Sequence, residues 1–219
     1  MWKITTISFL FFLLIGCTAH PTISPIPLQK DESYTGITLS AENVFPMFVY
    51  RKGLSEKSDV GVRIGIPFYG TGVDYSRLLY QRGNYYDILN VSFSYSPNSN
   101  FDMTYYTVRK FRKWKNKAFY TGVRGMYIPH GINGNQSLRF GFLAGFCSGN
   151  KWGFEFGYFH DLDRGQPIES LLSWHPKNDE KYPATTEFGY PTENSRLMGL
   201  SFQVYLSTKI FSKSDKKEK

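Results

Sequence analysis

The sequence predicts an all-β chain: an antiparallel, up-and-down transmembrane β-barrel of about ten strands, with eight as the smaller alternative. Three observations predict it. Apolar residues alternate with period two over long runs, the other face of those runs carries glycine and isolated charges, and aromatic residues collect near the run ends. In DVGVRIGIPF, Val60, Val62, Ile64, Ile66 and Phe68 share one face, while Gly61, Arg63 and Gly65 share the other. In SLRFGFLAGF, Leu138, Phe140, Phe142, Ala144 and Phe146 oppose Arg139, Gly141, Leu143 and Gly145. In KWGFEFGYF, Trp152, Phe154, Phe156 and Tyr158 oppose Gly153, Glu155 and Gly157. Met198, Leu200, Phe202, Val204 and Leu206 repeat the pattern against Gly199, Ser201, Gln203 and Tyr205. Alternation of this length belongs to strands with one apolar face.

Two architectures alternate in this way. A soluble sandwich or lipocalin-type barrel turns the apolar face inward to a core, whereas a membrane barrel turns it outward to lipid and keeps small and charged residues inside. Glycine recurring on the polar face suits a crowded lumen better than a solvated exterior. Arg63, Asp74, Arg139 and Glu155 are then candidate lumen charges. Tyr50, Phe68, Tyr95, Tyr127, Trp152 and Phe211 lie near strand ends, where an interfacial girdle requires them. The mean hydropathy of −0.35 fits strands that average apolar-out with polar-in. A soluble, lipocalin-like ligand-binding protein is the alternative.

The chain opens with one long apolar run. Lys3 supplies a positive charge, Ile4 to Ile15 follow, and Gly16-Cys17-Thr18-Ala19-His20-Pro21 ends the run. A spanning helix needs about 20 apolar residues. This run is shorter and has the flanks of a signal-peptide core. Leu14-Ile15-Gly16-Cys17 resembles the lipobox of bacterial lipoproteins. The resemblance implies cleavage after residue 16 and acyl chains, palmitate among them, on Cys17. Thr18 in place of Asp implies export to an outer membrane, with the lipid-anchored N-terminus on its periplasmic side. Cys147 is the other cysteine, so an acylated Cys17 leaves no disulfide framework. Residues 17–33 read as the lipidated N-terminus and an extended, proline-containing tether. Residues 34–211 read as the barrel, and 212–219 as a charged tail.

Taken in order, the strands are expected at 35–42, 45–52, 59–67, 72–81, 85–95, 102–112, 117–128, 137–147, 151–160 and 197–208. With a periplasmic N-terminus, connections 53–58, 82–84, 113–116 and 148–150 lie on the periplasmic side, and all are short. Connections 68–71, 96–101, 129–136 and 161–196 lie outside, and the longest is among them, as in outer-membrane barrels. Pro46 makes the first hairpin the poorest fit. Tyr50, Arg51, Gly53, Leu54, Ser55, Asp59, Val60 and Gly61 resemble a strand–turn–strand element of bacterial outer-membrane barrel families. Gly199, Phe202 and Val204 are similar to the C-terminal signal that the barrel assembly machinery reads, although Leu197 departs from it and residues 212–219 follow it. These resemblances imply the architecture and that machinery as a partner, not a substrate.

Chemistry is sparse. Phosphate-binding glycine loops, paired-cysteine metal sites and GxSxG elbows are missing, and no cofactor or metal is expected. His160, Asp161 and Asp163 form a candidate external rim, best read as solvated turn residues. With Ser170, Ser173 or Ser195 nearby, a barrel lipid hydrolase is a second alternative, which would need a nucleophile, base and acid in hydrogen-bond reach. The run Val108 to Lys117 is basic with aromatics interleaved. Arg112, Lys113, Trp114 and Lys115 read as headgroup contacts on an anionic membrane surface, which the net charge of +8 suits. Nucleic acid is not an expected partner of an exported lipoprotein. The expectation is therefore an outer-membrane β-barrel lipoprotein, without catalysis, in a structural, interaction or small-molecule and lipid-handling role. Outer-membrane lipids are its surroundings, and a small molecule or protein docks at loop 161–196.

Overall fold

The computed structural model describes residues 25–40, 46–65, 71–95, 100–113, 117–129, 137–149, 151–162 and 201–211. For β10, and for Ser40, Tyr95, Ile128, Ser137, His160 and Asp161, the description is of the backbone. The strands are β1 (Ser33–Ser40), β2 (Met47–Ser55), β3 (Ser58–Gly65), β4 (Thr71–Arg82), β5 (Tyr85–Tyr95), β6 (Asn100–Lys110), β7 (Lys117–Ile128), β8 (Ser137–Ser148), β9 (Trp152–Asp161) and β10 (Ser201–Phe211). Every described strand is antiparallel to its neighbours in sequence, and β1 also pairs with β10, so the ladder closes on itself. The all-β antiparallel expectation holds. Connections 56–57, 83–84, 111–116 and 149–151 lie at one end, here the turn end, with the segment before β1. The strand ends at Ser40, Met47, Gly65, Thr71, Tyr95, Asn100, Ile128, Ser137, Asp161 and Ser201 belong to the other end, from which the longer connections start.

Several boundaries differ from those the alternation predicts, each for a local reason. β2 runs on through Gly53 to Ser55, and the turn is Glu56–Lys57 rather than 53–58. Gly53 looks like a turn glycine, but it is a strand residue against which the N-terminal segment lies. β1 starts at Ser33 rather than 35, because both its neighbours reach that far: Ser33 pairs with Lys52 and with Phe211. The same pairing carries β10 to Phe211, beyond the expected 197–208. β6 ends at Lys110, not 112; one further bond in the same register, from the Phe111 amide to the Lys117 carbonyl at 3.0 Å, closes the ladder at the turn.

The two faces of the wall differ in kind. Val62, Ile64, Leu138, Phe140, Phe142, Phe154 and Phe156 are exposed on the outside. Gly61, Arg63, Gly65, Arg139, Gly141, Gly145, Gly153, Glu155 and Gly157 are buried. The inward glycines make room for large neighbours. A Cβ on Gly61 would meet the Asp74 carboxylate, and one on Gly145 would meet the Tyr120 ring.

Outward rows can be followed across β4 to β7 by register. Nearest the long connections lie Val73, Phe93, Phe101 and Tyr127, then Tyr75, Val91, Met103 and Gly125, then Arg77, Leu89, Tyr105 and Val123. The next row is polar: Tyr80, Asp87, Thr107 and Thr121. The last, at the turn end, is Arg82, Tyr85, Arg109 and Phe119. A bulge between Leu78 and Tyr80 shifts the pleat of β4 by one residue, which sets Arg82 on the outside with Tyr85.

Candidate functional site

The inside of the barrel holds most of the charge that the wall buries. Arg51, Arg63, Arg124 and Arg139 are buried, and so are Asp59, Asp74, Asp102 and Glu155. These side chains come from β2, β3, β4, β6, β7, β8 and β9, each at an inward position of its strand. Buried charges are stable only when paired and hydrogen-bonded, and six of these form two networks.

In the first, the Arg51 guanidinium pairs with Asp59 and with Asp74, the latter at 2.7 Å, and donates to Ser76 Oγ at 2.9 Å. Asn90 donates to Asp74 at 3.2 Å and to Ser76 at 3.0 Å. Arg63 donates to the hydroxyls of Ser92 and Ser94 at 3.0 and 2.8 Å, and its other nitrogen faces Asp74 at 3.5 Å. In the second, Arg124 meets Glu155 at 2.9 Å and donates to Thr104 at 2.7 Å and to the Tyr106 hydroxyl at 2.9 Å. Its guanidinium also lies over the Phe159 ring, 5.3 Å from the centroid.

Asp102 lies between the networks. Arg124 Nε faces it at 3.8 Å, and neither of its oxygens has a hydrogen-bond partner among the described residues. Asn100 Oδ1, Arg63 Nε and Arg124 Nη1 are in the same position. Buried polar atoms of this kind carry a desolvation cost, and they collect in the layer between the two networks.

The turn end of the barrel is filled. Leu28 is 2 % exposed, and its amide donates to Asp59 Oδ2 at 2.9 Å. Pro25 is buried and Ile26 packs on the apolar cluster of Ile88, Tyr106, Val108, Tyr120, Leu143 and Phe159. Asp31, at φ 66°, turns the chain, its amide donating to the Gly53 carbonyl at 3.2 Å, and the Gly53 amide donates to the Glu32 carbonyl at 2.9 Å. A Cβ on Gly53 would strike the Gln29 carbonyl. Residues 25–32 thus pack as a plug, where the sequence reading has an extended tether. Prolines and missing periodicity describe a segment with no secondary structure, and such a segment still packs when a neighbour offers a glycine and a carboxylate.

The residues singled out in the sequence are distributed as follows. Arg63, Asp74, Arg139 and Glu155 are buried inside the wall. Arg63 and Asp74 meet in one network, and Glu155 belongs to the other. Arg112 and Lys113 are exposed at the turn end. Tyr50, Tyr127 and Trp152 are exposed on the outer face. Cys17, Phe68, Trp114, Lys115, Asp163, Ser170, Ser173 and Ser195 lie outside the described residues, as do the side chains of Tyr95, His160, Asp161 and Phe211 and the residues of loop 161–196 beyond Leu162. The sequence reading misses Arg124, Asp102 and the lumen role of Arg51 and Asp59. Arg51 and Asp59 stand beside a turn-like glycine, which hides their strand parity. Arg124 shares its face with Ala118, Tyr120 and Met126, a set that reads as apolar. Among the described residues no group of three or more His, Cys, Asp or Glu has metal-binding geometry.

Compared with known proteins, the chain matches no family model, no curated protein and no solved structure.

Proposed function

We propose that the chain is an outer-membrane β-barrel lipoprotein, spanning the membrane with ten strands, closed to bulk flow, and working through its surfaces and ends without catalysis. One observation carries the reading: the polarity of the wall is inverted. Arg51, Arg63, Arg124 and Glu155 are at most 1 % exposed, while Met103 is 58 % and Phe142 67 % exposed. Water would not tolerate an apolar belt of that extent, since soluble monomers rarely expose contiguous patches beyond a few hundred Å². Hydrocarbon favours it, and it requires that backbone polar groups pair within a closed barrel. A lipocalin-type barrel faces water with a polar outer surface, where this wall carries its exposed apolar residues.

The plug supports a closed lumen. Barrels of about this size are filled by side chains, and open aqueous channels need many more strands. The plug also supports the orientation. Eight peptide steps separate Cys17 from Pro25, at most about 29 Å of extended chain, so an acyl group on Cys17 enters the leaflet at the turn end. Two anchors, acyl chains and barrel, then act on one membrane face. The short turns are periplasmic in this arrangement, loop 161–196 is external, and the barrel assembly machinery is the partner that inserts the chain.

Gel migration of the membrane-extracted protein, unboiled against boiled, tests this directly. The proposal expects a compact unboiled form that shifts on boiling, no steady conductance in planar bilayers, and retention of Cys17→Ser in the membrane through the barrel alone. Coincident bands with a Cys17→Ser form that stays dissolved without detergent would overturn it in favour of a soluble barrel.

A further inference from the structure

Beside the last outward row, at the turn end, the wall carries a cavity of about 720 Å³. Among the described residues Arg82, Arg109, Lys110 and Arg112 line it together with Tyr85 and Phe111, and no carboxylate does. Its shape is built by the fold. Gly83, at φ 58°, supplies the positive-φ first corner of a two-residue hairpin turn. The turn sets Arg82 opposite Tyr85, and Tyr85 stands opposite Arg109. The Arg109 guanidinium lies over the Tyr85 ring at 5.5 Å, and Lys110 lies over Tyr86 at 4.5 Å. The Lys110 amide donates to the Asn84 carbonyl at 2.9 Å, which ties the hairpin tip to β6. Among the described residues none of the four cations has a carboxylate partner, and none of the lining residues is acidic.

We propose that this pocket binds the phosphate of an anionic phospholipid headgroup in the periplasmic leaflet. The inference rests on the membrane reading above and gives the headgroup contact expected of Arg112 a defined pocket on the wall, built with Arg82, Arg109 and Lys110. Three points on the wall carry it. Arg82, Tyr85 and Arg109 point outward, where lipid lies, and not into the lumen. Their row is two rows past the last mostly apolar one, and each row advances about 5 Å along the membrane normal for a tilted strand, which is headgroup depth. Four cations without an acid select a negative charge, guanidinium groups give phosphate a bidentate partner, and the rings of Tyr85 and Phe111 accept the glycerol and first methylenes. An acyl anchor at Cys17 puts the same end in the periplasmic leaflet, whose lipids are phospholipids.

The test uses the full-length protein reconstituted in phosphatidylcholine vesicles with a small fraction of spin-labelled lipid. Electron paramagnetic resonance reads the motionally restricted, protein-bound component. The expected result is a preference for labelled phosphatidylglycerol over labelled phosphatidylcholine of at least about fivefold, the worth of one well-placed cation at an anionic surface. R82Q/R109Q/R112Q loses that preference while keeping the restricted component, and R82Q alone loses part of it. Lys151→Gln, a cation at the same end outside the pocket, keeps it. Equal preference in the wild type and the triple variant overturns the proposal. So does loss of the preference in millimolar inorganic phosphate but not in sodium chloride of equal ionic strength, since the site is then one for free phosphate. A restricted component missing for every lipid overturns the membrane reading itself and is told apart from failure of the pocket alone, in which the component persists without preference.

Discussion

On the β2–β5 side of the lumen the wall is held to itself by ions and hydroxyls: Arg51 with Asp59, Asp74 and Ser76, Arg63 with Ser92 and Ser94, Asn90 between them. From β5 to β9 the inward positions carry Ile88, Tyr106, Tyr120, Met126, Leu143, Cys147 and Phe159, with Arg124, Glu155, Asp102 and Arg139 as embedded charges. The N-terminal plug touches both, through the Leu28 amide on Asp59 and through Ile26 on the cluster. The difference separates two tasks. Apolar packing stabilises in proportion to the surface it removes from water. Buried ion pairs contribute little net stability, because desolvation offsets their attraction, but removing one partner leaves a charge stranded. The ionic side thus penalises wrong register, and the apolar side holds the fold together.

The largest expected effect breaks the ionic side. Arg51→Met strands Asp59 and Asp74 and lowers unfolding stability in detergent by about 3–5 kcal/mol, read from the denaturant midpoint. Adding Asp59→Asn and Asp74→Asn recovers most of it, which a purely steric role for Arg51 would not allow. Tyr106→Phe comes next. It keeps the ring in the cluster but takes the hydroxyl from Arg124 and Glu155, for about 1–3 kcal/mol. Ile88→Val sharpens the comparison from the apolar side, since one methylene there costs about 0.5–1.5 kcal/mol, measured in the same denaturant series. The outer face gives the smallest effect: Phe142→Leu exchanges one exposed apolar group for another, with lipid as the neighbour under the proposed membrane reading, and shifts stability by less than about 0.5 kcal/mol.

Much of the wall was legible in the sequence, and the reason is geometric. Period-two alternation maps directly onto the two faces of a strand, so Val62, Ile64, Phe140 and Phe156 fall outside and Arg63, Arg139 and Glu155 inside. Three things break that mapping. A bulge at Leu78/Tyr80 reverses the parity of β4 before Arg82, and nothing in the residue pattern marks it. Gly53 has the composition of a turn, but its reason for being glycine is the Gln29 carbonyl, a residue well before it in the chain. The plug itself has no period, and its order comes from partners on β2 and β3. The partners of Arg51 lie on β3 and β4 and those of Arg124 on β6 and β9, and the sequence pattern of one strand does not show which residues of the next strands stand beside it.

The central claim is that the exposed apolar face meets acyl chains. Nitroxide labels at Met103, Phe142 and Phe156 of the membrane-reconstituted protein, with Leu143 as the inward control, test it most directly. The account predicts that the three outward labels collide with lipid-dissolved oxygen and are shielded from a water-soluble nickel chelate, while a label at 143 is shielded from both. Outward labels that the chelate reaches as freely as oxygen does would contradict it.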